Sequence, residues 1–190
     1  MQILEDRIRK DGTIAAGNVL RVDSFLNHQI DTVFLNQLAA EFYRLFKDEK
    51  VDKVFTVEAS GIAIAALTAL QFGVPMVFAK KSKSQNISDN VYKAEAYSYT
   101  HQNTNTLIVS KDYIHAGERV LLIDDFLANG NAVLALSAML KQAGAIPVGV
   151  GILVEKAFQP GHELLEKTGL RVESLARVAS MDAENGITFL

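Results

Sequence analysis

The chain has 190 residues, no cysteine and a net charge of −3, from 19 basic and 22 acidic side chains. This composition excludes disulfide bonds and cysteine-based catalysis or metal binding, and it gives no general electrostatic reason to bind nucleic acid or an anionic membrane. The length and the 49% of hydrophobic residues predict one domain with one core, while the lack of a signal-peptide pattern or a long apolar run predicts a cytoplasmic location.

The N-terminal region predicts a short amphipathic helix, a strand and a polar turn. Apolar residues recur among charges at helical spacing up to Gly12, which is typical of a helix end. Residues 19–22 predict a strand, and polar residues at 27–29 follow it. These polar residues either line a pocket or only precede a helix over residues 33–46 that Asp31 caps.

Residues 53–57 predict a buried strand that leads through Glu58-Ala-Ser-Gly-Ile62 into a helix rich in alanine and leucine. Free N–H groups at a helix start favour an anion, so Ala59, Ser60 and Gly61 form a candidate phosphate loop. A tight strand-to-helix turn without a ligand explains this loop equally well when the loop is considered alone.

Residues 73–79 predict a third strand, and a polar, lysine-containing stretch follows it up to Asn90. Such a stretch is typically a solvated loop, but its positive charge also suits a lid over a polyphosphate. The next two segments, residues 91–99 and 106–110, predict a hairpin of alternating tyrosine, alanine and aliphatic residues.

The strongest pattern is Arg119-Val-Leu-Leu-Ile-Asp-Asp-Phe-Leu-Ala-Asn-Gly-Asn-Ala132. Large aliphatic residues at 120–123 predict a strand buried on both faces, Asp124 and Asp125 follow its end, and a short loop leads to a predicted helix over residues 132–142. The two carboxylates could accept hydrogen bonds from neighbouring hydroxyls, as on a ribose, and the loop could hold a phosphate at the helix start. The competing interpretation is a buried strand that ends in a solvated acidic turn.

The last third of the chain continues the alternation of helices and strands. Residues 146–154 predict a strand, residues 162–168 a short helix and residues 170–178 a last strand. Lys156 follows the first of these strands. It is either an ordinary surface lysine or a hydrogen-bond donor to a substrate carbonyl. The whole pattern predicts an α/β fold with a largely parallel sheet flanked by helices.

The central stretch resembles the 5-phosphoribosyl-1-pyrophosphate (PRPP) motif of type I phosphoribosyltransferases: a hydrophobic strand, two acidic residues and a small-residue phosphate loop. Its loop departs from the commoner Ala-Thr-Gly-Gly-Thr form. Over nearly its whole length, however, the chain is similar to the bacterial xanthine phosphoribosyltransferases, a family that carries the Ala-Asn-Gly form. Four further segments share this similarity: Asp23-Ser-Phe-Leu-Asn-His-Gln-Ile-Asp31, Glu58-Ala-Ser-Gly-Ile-Ala63, Val154-Glu-Lys-Ala-Phe-Gln-Pro-Gly161 and Arg171-Val-Glu-Ser-Leu-Ala-Arg-Val178.

The resemblance implies a type I phosphoribosyltransferase fold with a small N-terminal hood lobe. Residues 1–190 would form a single phosphoribosyltransferase domain, its hood built from roughly the first 35 residues and C-terminal elements. Asp124 and Asp125 would orient the ribose and stabilise its developing positive charge. The 5′-phosphate of PRPP would be bound by Ala128, Asn129, Gly130, Asn131 and Ala132, the pyrophosphate by Ala59, Ser60, Gly61 and Lys81, and xanthine by Leu20, Asn27 and Lys156.

The resemblance also implies a homodimeric enzyme of purine salvage that transfers 5-phosphoribosyl from PRPP to N9 of xanthine, giving XMP and pyrophosphate. Mg²⁺ would be bound mainly through PRPP and water, with no direct protein ligand. One alternative is a phosphoribosyltransferase for hypoxanthine and guanine or for adenine. Another is a PRPP-sensing regulator that binds nucleic acid, which usually needs a basic face or an added domain. The charge of this chain favours neither a nucleic-acid nor a membrane partner.

Overall fold

A sheet of six strands forms the centre of the molecule. The computed structural model describes residues 1–15, 17, 19–81, 90–98, 103–182 and 184–190. The α-helices within these residues are α1 (Gln2–Asp11), α2 (Thr32–Phe46), α3 (Gly61–Phe72), α4 (Asn131–Ala143) and α5 (Gly161–Glu166). The strands are β1 (Thr13–Ala15), β2 (Val19–Arg21), β3 (Lys53–Val57), β4 (Met76–Ala79), β5 (Val91–Ser98), β6 (Asn103–Ser110), β7 (Arg119–Leu127), β8 (Ile146–Lys156), β9 (Val172–Asp182) and β10 (Gly186–Phe189).

The order of the strands creates a natural ligand site. They lie as β4-β3-β7-β8-β9-β10, all parallel except β10, which pairs antiparallel with β9. From β3 the chain passes to β4 on one side and later returns to β7 on the other. The carboxyl ends of β3 and β7 therefore adjoin at a topological switch point, where open α/β sheets bind ligands. The pairs β1–β2 and β5–β6 form two separate antiparallel hairpins.

Both faces of β7 are buried. Leu121 and Ile123 belong to an apolar cluster built with α2 and α3, whereas Val120 and Leu122 belong to a second cluster built with α4 and β6. Successive side chains of a strand point to opposite faces, so the unbroken aliphatic run fills both clusters at once. This confirms the predicted α/β fold with a largely parallel sheet covered by helices.

Gly151 of β8 makes room for α2 against the sheet. An ideal Cβ at this position would lie 2.6 Å from Ile123 Cδ1 and 2.8 Å from Phe42 Cδ1. Both neighbours are buried in the close-packed core and have little space to move. We expect Gly151→Ala to lower the free energy of unfolding by about 1–3 kcal/mol through overpacking. Urea denaturation measures this change, and an unaltered midpoint would contradict the packing.

The predicted cap of α2 is confirmed, and left-handed glycines end two other helices; Gly73 is one of them, so the strand predicted from residue 73 begins only at Met76. Asp31 Oδ1 accepts a hydrogen bond from Phe34 N–H at 3.1 Å and so caps the start of α2. Gly73 and Gly144 end α3 and α4 in the left-handed conformation, with φ of 68° and 71°.

Strands β7 and β8 continue beyond the ends that the sequence predicts. β7 continues to Leu127, so Asp124 and Asp125 lie within the strand and not after it, and β8 continues to Lys156. The cause is that backbone pairing between these strands persists up to the pair of Leu127 with Glu155. A ladder needs only backbone groups, so polar side chains do not end it.

Other boundaries are also corrected. β6 begins at Asn103 and α4 at Asn131, earlier than predicted, and β10 shows that β9 is not the last strand. The predicted lid beyond Lys81 falls largely on residues 82–89, which lie outside the described residues, as does Tyr99 of the predicted hairpin. No helix in the described part of the chain has the length and apolarity needed to cross a membrane.

Candidate active site

A cavity of about 350 Å³ lies at the switch point, where β3 and β7 end. Five of the predicted site residues line it: Ser60, Lys81, Asp124, Asp125 and Ala132. The other lining residues were not predicted from the sequence: Val57, Glu58, Ala96, Asn105 and Leu107. Three of these come from the β5–β6 hairpin, and no local sequence pattern indicates that this hairpin folds towards the loop after β3.

Asp124 and Asp125 form an acidic wall of the cavity. Their exposed fractions are only 6% and 8%, and Asp124 Oδ1 accepts a hydrogen bond from Asp125 N–H at 3.0 Å. Burial, and secondly the neighbouring charge of Asp125, raises the pKa of Asp124 well above its usual value. The remaining acceptor sites of the two side chains suit incoming hydroxyl groups.

The loop after β3 packs directly on this acidic wall. An ideal Cβ on Gly61 would lie 2.8 Å from Asp124 Oδ1 and closer still to the buried Thr56 hydroxyl, so only glycine fits without a shift. Glu58 Oε1 accepts a hydrogen bond from Lys81 N–H at 2.6 Å and so ties this loop to the second residue after β4. The peptide bond between Glu58 and Ala59 is cis.

The second small-residue loop lies between β7 and α4. Gly130 adopts a φ of 79° immediately before the first residue of α4, and its carbonyl accepts from Leu134 N–H at 2.9 Å. A left-handed residue at this point favours glycine and turns the chain into the helix. The loop is supported from behind, because Gly161 N–H donates to the Ala128 carbonyl at 3.0 Å.

The predicted xanthine-binding residues lie on three different elements of the described structure. Leu20 is buried and lines a separate cavity of about 290 Å³ between α1, the β1–β2 hairpin and the β9–β10 turn. Asn27 is exposed at the end of a single π-helical turn, Asp23–Asn27. Lys156 is half-buried at the end of β8, and this burial lowers its pKa. Their joint role stays a prediction.

Sequence reasoning missed the partners of Glu155, the residue before Lys156. Its side chain is 1% exposed and contacts three polar residues, His162 on α5 and Ser174 and Arg177 on β9. A buried glutamate in a predicted strand needs partners, which is a signal the sequence does carry. Their identity, however, depends on which strand lies beside β8.

Comparisons with known proteins agree with this geometry. The family described as "Phosphoribosyl transferase domain" matches residues 22–174. A xanthine phosphoribosyltransferase of Bacillus cereus (strain AH187) is 48% identical over 190 residues, which are 100% of this chain and 96% of that protein. One of Lachnoclostridium phytofermentans is 52% identical over 186 residues, or 98% of this chain and 96% of that protein.

Solved structures of adenine phosphoribosyltransferases share the fold. That of Thermoanaerobacter pseudethanolicus has a TM-score of 0.69 at 25% identity, covering 77% of this chain and 82% of the other. That of Trypanosoma brucei, in complex with AMP, pyrophosphate and ribose-5-phosphate, has a TM-score of 0.77 at 18% identity, covering 92% and 79%. The family match and the full-length relatives confirm the resemblance seen in the sequence: the chain belongs to the phosphoribosyltransferase family and, within it, to the xanthine phosphoribosyltransferases.

Proposed function

We propose that the protein transfers the 5-phosphoribosyl group of PRPP to N9 of xanthine, forming XMP and pyrophosphate in purine salvage. The observation that carries the proposal is the cavity at the switch point, whose wall joins the acidic pair of β7 to the small-residue loop after β3. The identity of 48% and 52% to xanthine phosphoribosyltransferases over almost the whole chain supports xanthine as the base.

In the proposed reaction the bond from C1′ to the pyrophosphate oxygen breaks, and a bond from C1′ to N9 forms with loss of the N9 proton. Positive charge develops on the ribose ring and negative charge on the leaving group. The site therefore has to position the reactants and stabilise charge. Asp124 and Asp125 would accept hydrogen bonds from the ribose hydroxyls and place negative charge near the ring.

The two loops would hold the phosphates at opposite ends of PRPP. Ala128, Asn129, Gly130, Asn131 and Ala132 stand at the start of α4, where backbone N–H groups and the helix dipole favour the 5′-phosphate. Ala59, Ser60 and Gly61, with Lys81 across the same cavity, would meet the pyrophosphate.

The cavity wall also suits Mg²⁺ that arrives with PRPP. The carboxylates of Glu58, Asp124 and Asp125 line the cavity and could accept hydrogen bonds from water bound to this ion, which would be held mainly by PRPP and water. Bound Mg²⁺ would neutralise charge on the pyrophosphate oxygens. The protein residues would contribute through hydrogen bonds to the substrate and to metal-bound water.

Xanthine recognition follows from hydrogen-bond types. The Lys156 ammonium would donate to O6, and the Asn27 amide would donate to the 2-oxo group, which hypoxanthine lacks. Leu20 would contribute apolar contact from a hood formed by the N-terminal elements and β9–β10, all part of one domain over residues 1–190. We further propose a cytoplasmic homodimer that binds neither nucleic acid nor membranes.

A nucleotide-formation assay with PRPP, Mg²⁺ and four separate bases tests this function. We expect preference for xanthine over guanine, hypoxanthine and adenine. Lys156→Ala is expected to lower kcat/KM for xanthine about tenfold to hundredfold, because it removes a hydrogen bond from a charged donor. Asn27→Ala is expected to reduce the discrimination against hypoxanthine.

The matched control is Lys167→Ala, which removes an exposed lysine whose only described partner is the exposed Glu163. Its kinetic constants should equal those of the unaltered protein. Preference for another purine would overturn the base assignment and leave the fold and the phosphate loops in place.

A further inference from the structure

Glu155 carries a buried carboxylate near two proposed substrate contacts, Lys156 in β8 and the loop at residues 128–132 before α4. Glu155 Oε2 is 2.5 Å from Ser174 Oγ and 2.9 Å from His162 Nδ1, and Glu155 Oε1 accepts from Arg177 Nε at 3.1 Å. Burial alone would raise the pKa of Glu155, but these three hydrogen bonds outweigh it and hold the pKa below its usual value. The ionised carboxylate is only an acceptor, so His162 Nδ1 carries the proton.

His162 links this carboxylate to α5, and the start of α5 contacts the loop at residues 128–132, the proposed 5′-phosphate loop. His162 follows Gly161, the first residue of α5, whose N–H donates to the Ala128 carbonyl at 3.0 Å. An ideal Cβ on Gly161 would lie 2.9 Å from Gly130 N and nearer still to the Ala128 oxygen. The start of α5 and the loop are therefore in direct backbone contact.

Glu155 also fixes the backbone that carries the proposed base contact. It directly precedes Lys156 in β8. Ser174 and Arg177 attach Glu155 to the neighbouring strand β9. The described residues supply no hydrogen bond or ion pair for the Lys156 ammonium, which leaves it available to a ligand.

We propose that Glu155 is a positioning residue that holds the phosphate loop and the backbone of Lys156 in a fixed relation, and so sets the separation between the phosphoribosyl group and the base. Transfer requires C1′ and the attacking nitrogen to be close and aligned, so a shift of either support would slow it. This inference rests on the proposed function, because it takes residues 128–132 as the 5′-phosphate site.

Glu155→Gln tests the proposal with little change in shape. The amide has one acceptor atom and one donor group, so it cannot accept from Arg177 on one side and from Ser174 and His162 on the other. We expect calorimetric titration of the full chain with ribose 5-phosphate to show about tenfold weaker binding. We expect the KM for PRPP to rise by a similar factor, whereas a purely structural role would lower the melting temperature and leave this KM unchanged.

His162→Phe is the second variant, because it removes the donor that links Glu155 to α5 and leaves the ties to β9 intact. It should also lower the affinity for ribose 5-phosphate. If Glu155→Gln does not fold, His162→Phe alone tests the proposal. Glu166→Gln is the matched control: Glu166 faces the other ring nitrogen of His162 at 3.3 Å but is 62% exposed. Its affinity for ribose 5-phosphate should equal that of the unaltered protein.

The outcomes separate this inference from the proposed function. If the unaltered protein forms XMP and both variants bind ribose 5-phosphate as tightly as it does, the positioning role is wrong and the function stands. If the unaltered protein neither binds ribose 5-phosphate nor consumes PRPP, the proposed function is wrong and this inference falls with it.

Discussion

Replacing Asp124 or Asp125 by asparagine is expected to lower kcat/KM for XMP formation by about 10²–10³-fold, comparable with the loss of one preorganised electrostatic group in other active sites. Both carboxylates lie on the cavity wall and are nearly buried, so water screens them little. An amide of the same shape keeps a dipole but loses the negative charge that would stabilise the ribose ring. Steady-state kinetics with PRPP and xanthine measures the loss.

The same change at Asp124 is expected to preserve or increase stability above neutral pH. The raised pKa means that folded Asp124 binds its proton more tightly than the unfolded chain does, so its contribution to stability falls as pH rises from the usual carboxyl range through the raised value. Asparagine does not ionise, so it does not lose stability as pH rises, and its side-chain oxygen can still accept the hydrogen bond from Asp125 N–H. The melting temperature of Asp124→Asn should therefore equal or exceed that of the unaltered protein at mildly alkaline pH, and the difference should shrink on acidification.

Asp48→Asn is the control for both measurements, because Asp48 is exposed just beyond the end of α2 and does not line the cavity at the switch point. Its activity and its melting curve should match those of the unaltered protein at each pH. Retention of more than half of the activity by both Asp124→Asn and Asp125→Asn would remove the acidic pair from the proposed reaction centre.

Much of the site was predictable because its parts are local. The aliphatic run before Asp124 predicts a strand, and glycines such as Gly130 predict turns, since these residues constrain their own backbone. In a parallel sheet, strand ends meet at one edge, so local patterns also predict that the loop of Ser60 and the acidic pair converge. The cavity that joins them confirms this convergence.

The remainder depends on contacts between distant segments. Asn105 and Leu107 reach the cavity because the β5–β6 hairpin bridges to Lys80, a pairing that no local pattern specifies. Glu155 finds Ser174 and Arg177 only because β9 pairs with β8 in one particular register. A register shift by one residue would turn those side chains to the other face, and hydrophobic periodicity sets register only approximately.

The close contact between α5 and the phosphate loop leads to the second large effect. Gly161→Ala would place a Cβ 2.9 Å from Gly130 N and nearer still to the Ala128 carbonyl, and both of these are backbone atoms that cannot rotate away. Either α5 or the loop must shift. We expect the KM for PRPP to rise by about 100-fold, because a misplacement on the order of 1 Å at a substrate-positioning group has effects of this size.

Gly169→Ala provides the control for this change. Gly169 follows α5 with a φ of 83°, and an added Cβ there would meet no atom within 4 Å. It should therefore cost about 1–2 kcal/mol of stability through backbone strain alone and leave the KM for PRPP unaltered. A contrary result would be that Gly161→Ala behaves like Gly169→Ala, with lower stability and an unchanged KM for PRPP. That result would contradict the proposal that the start of α5 positions the loop at residues 128–132 for the 5′-phosphate. If Gly161→Ala weakens the binding of PRPP and Gly169→Ala does not, adding Glu155→Gln to Gly161→Ala should raise the KM for PRPP little further, because both changes would release the same contact.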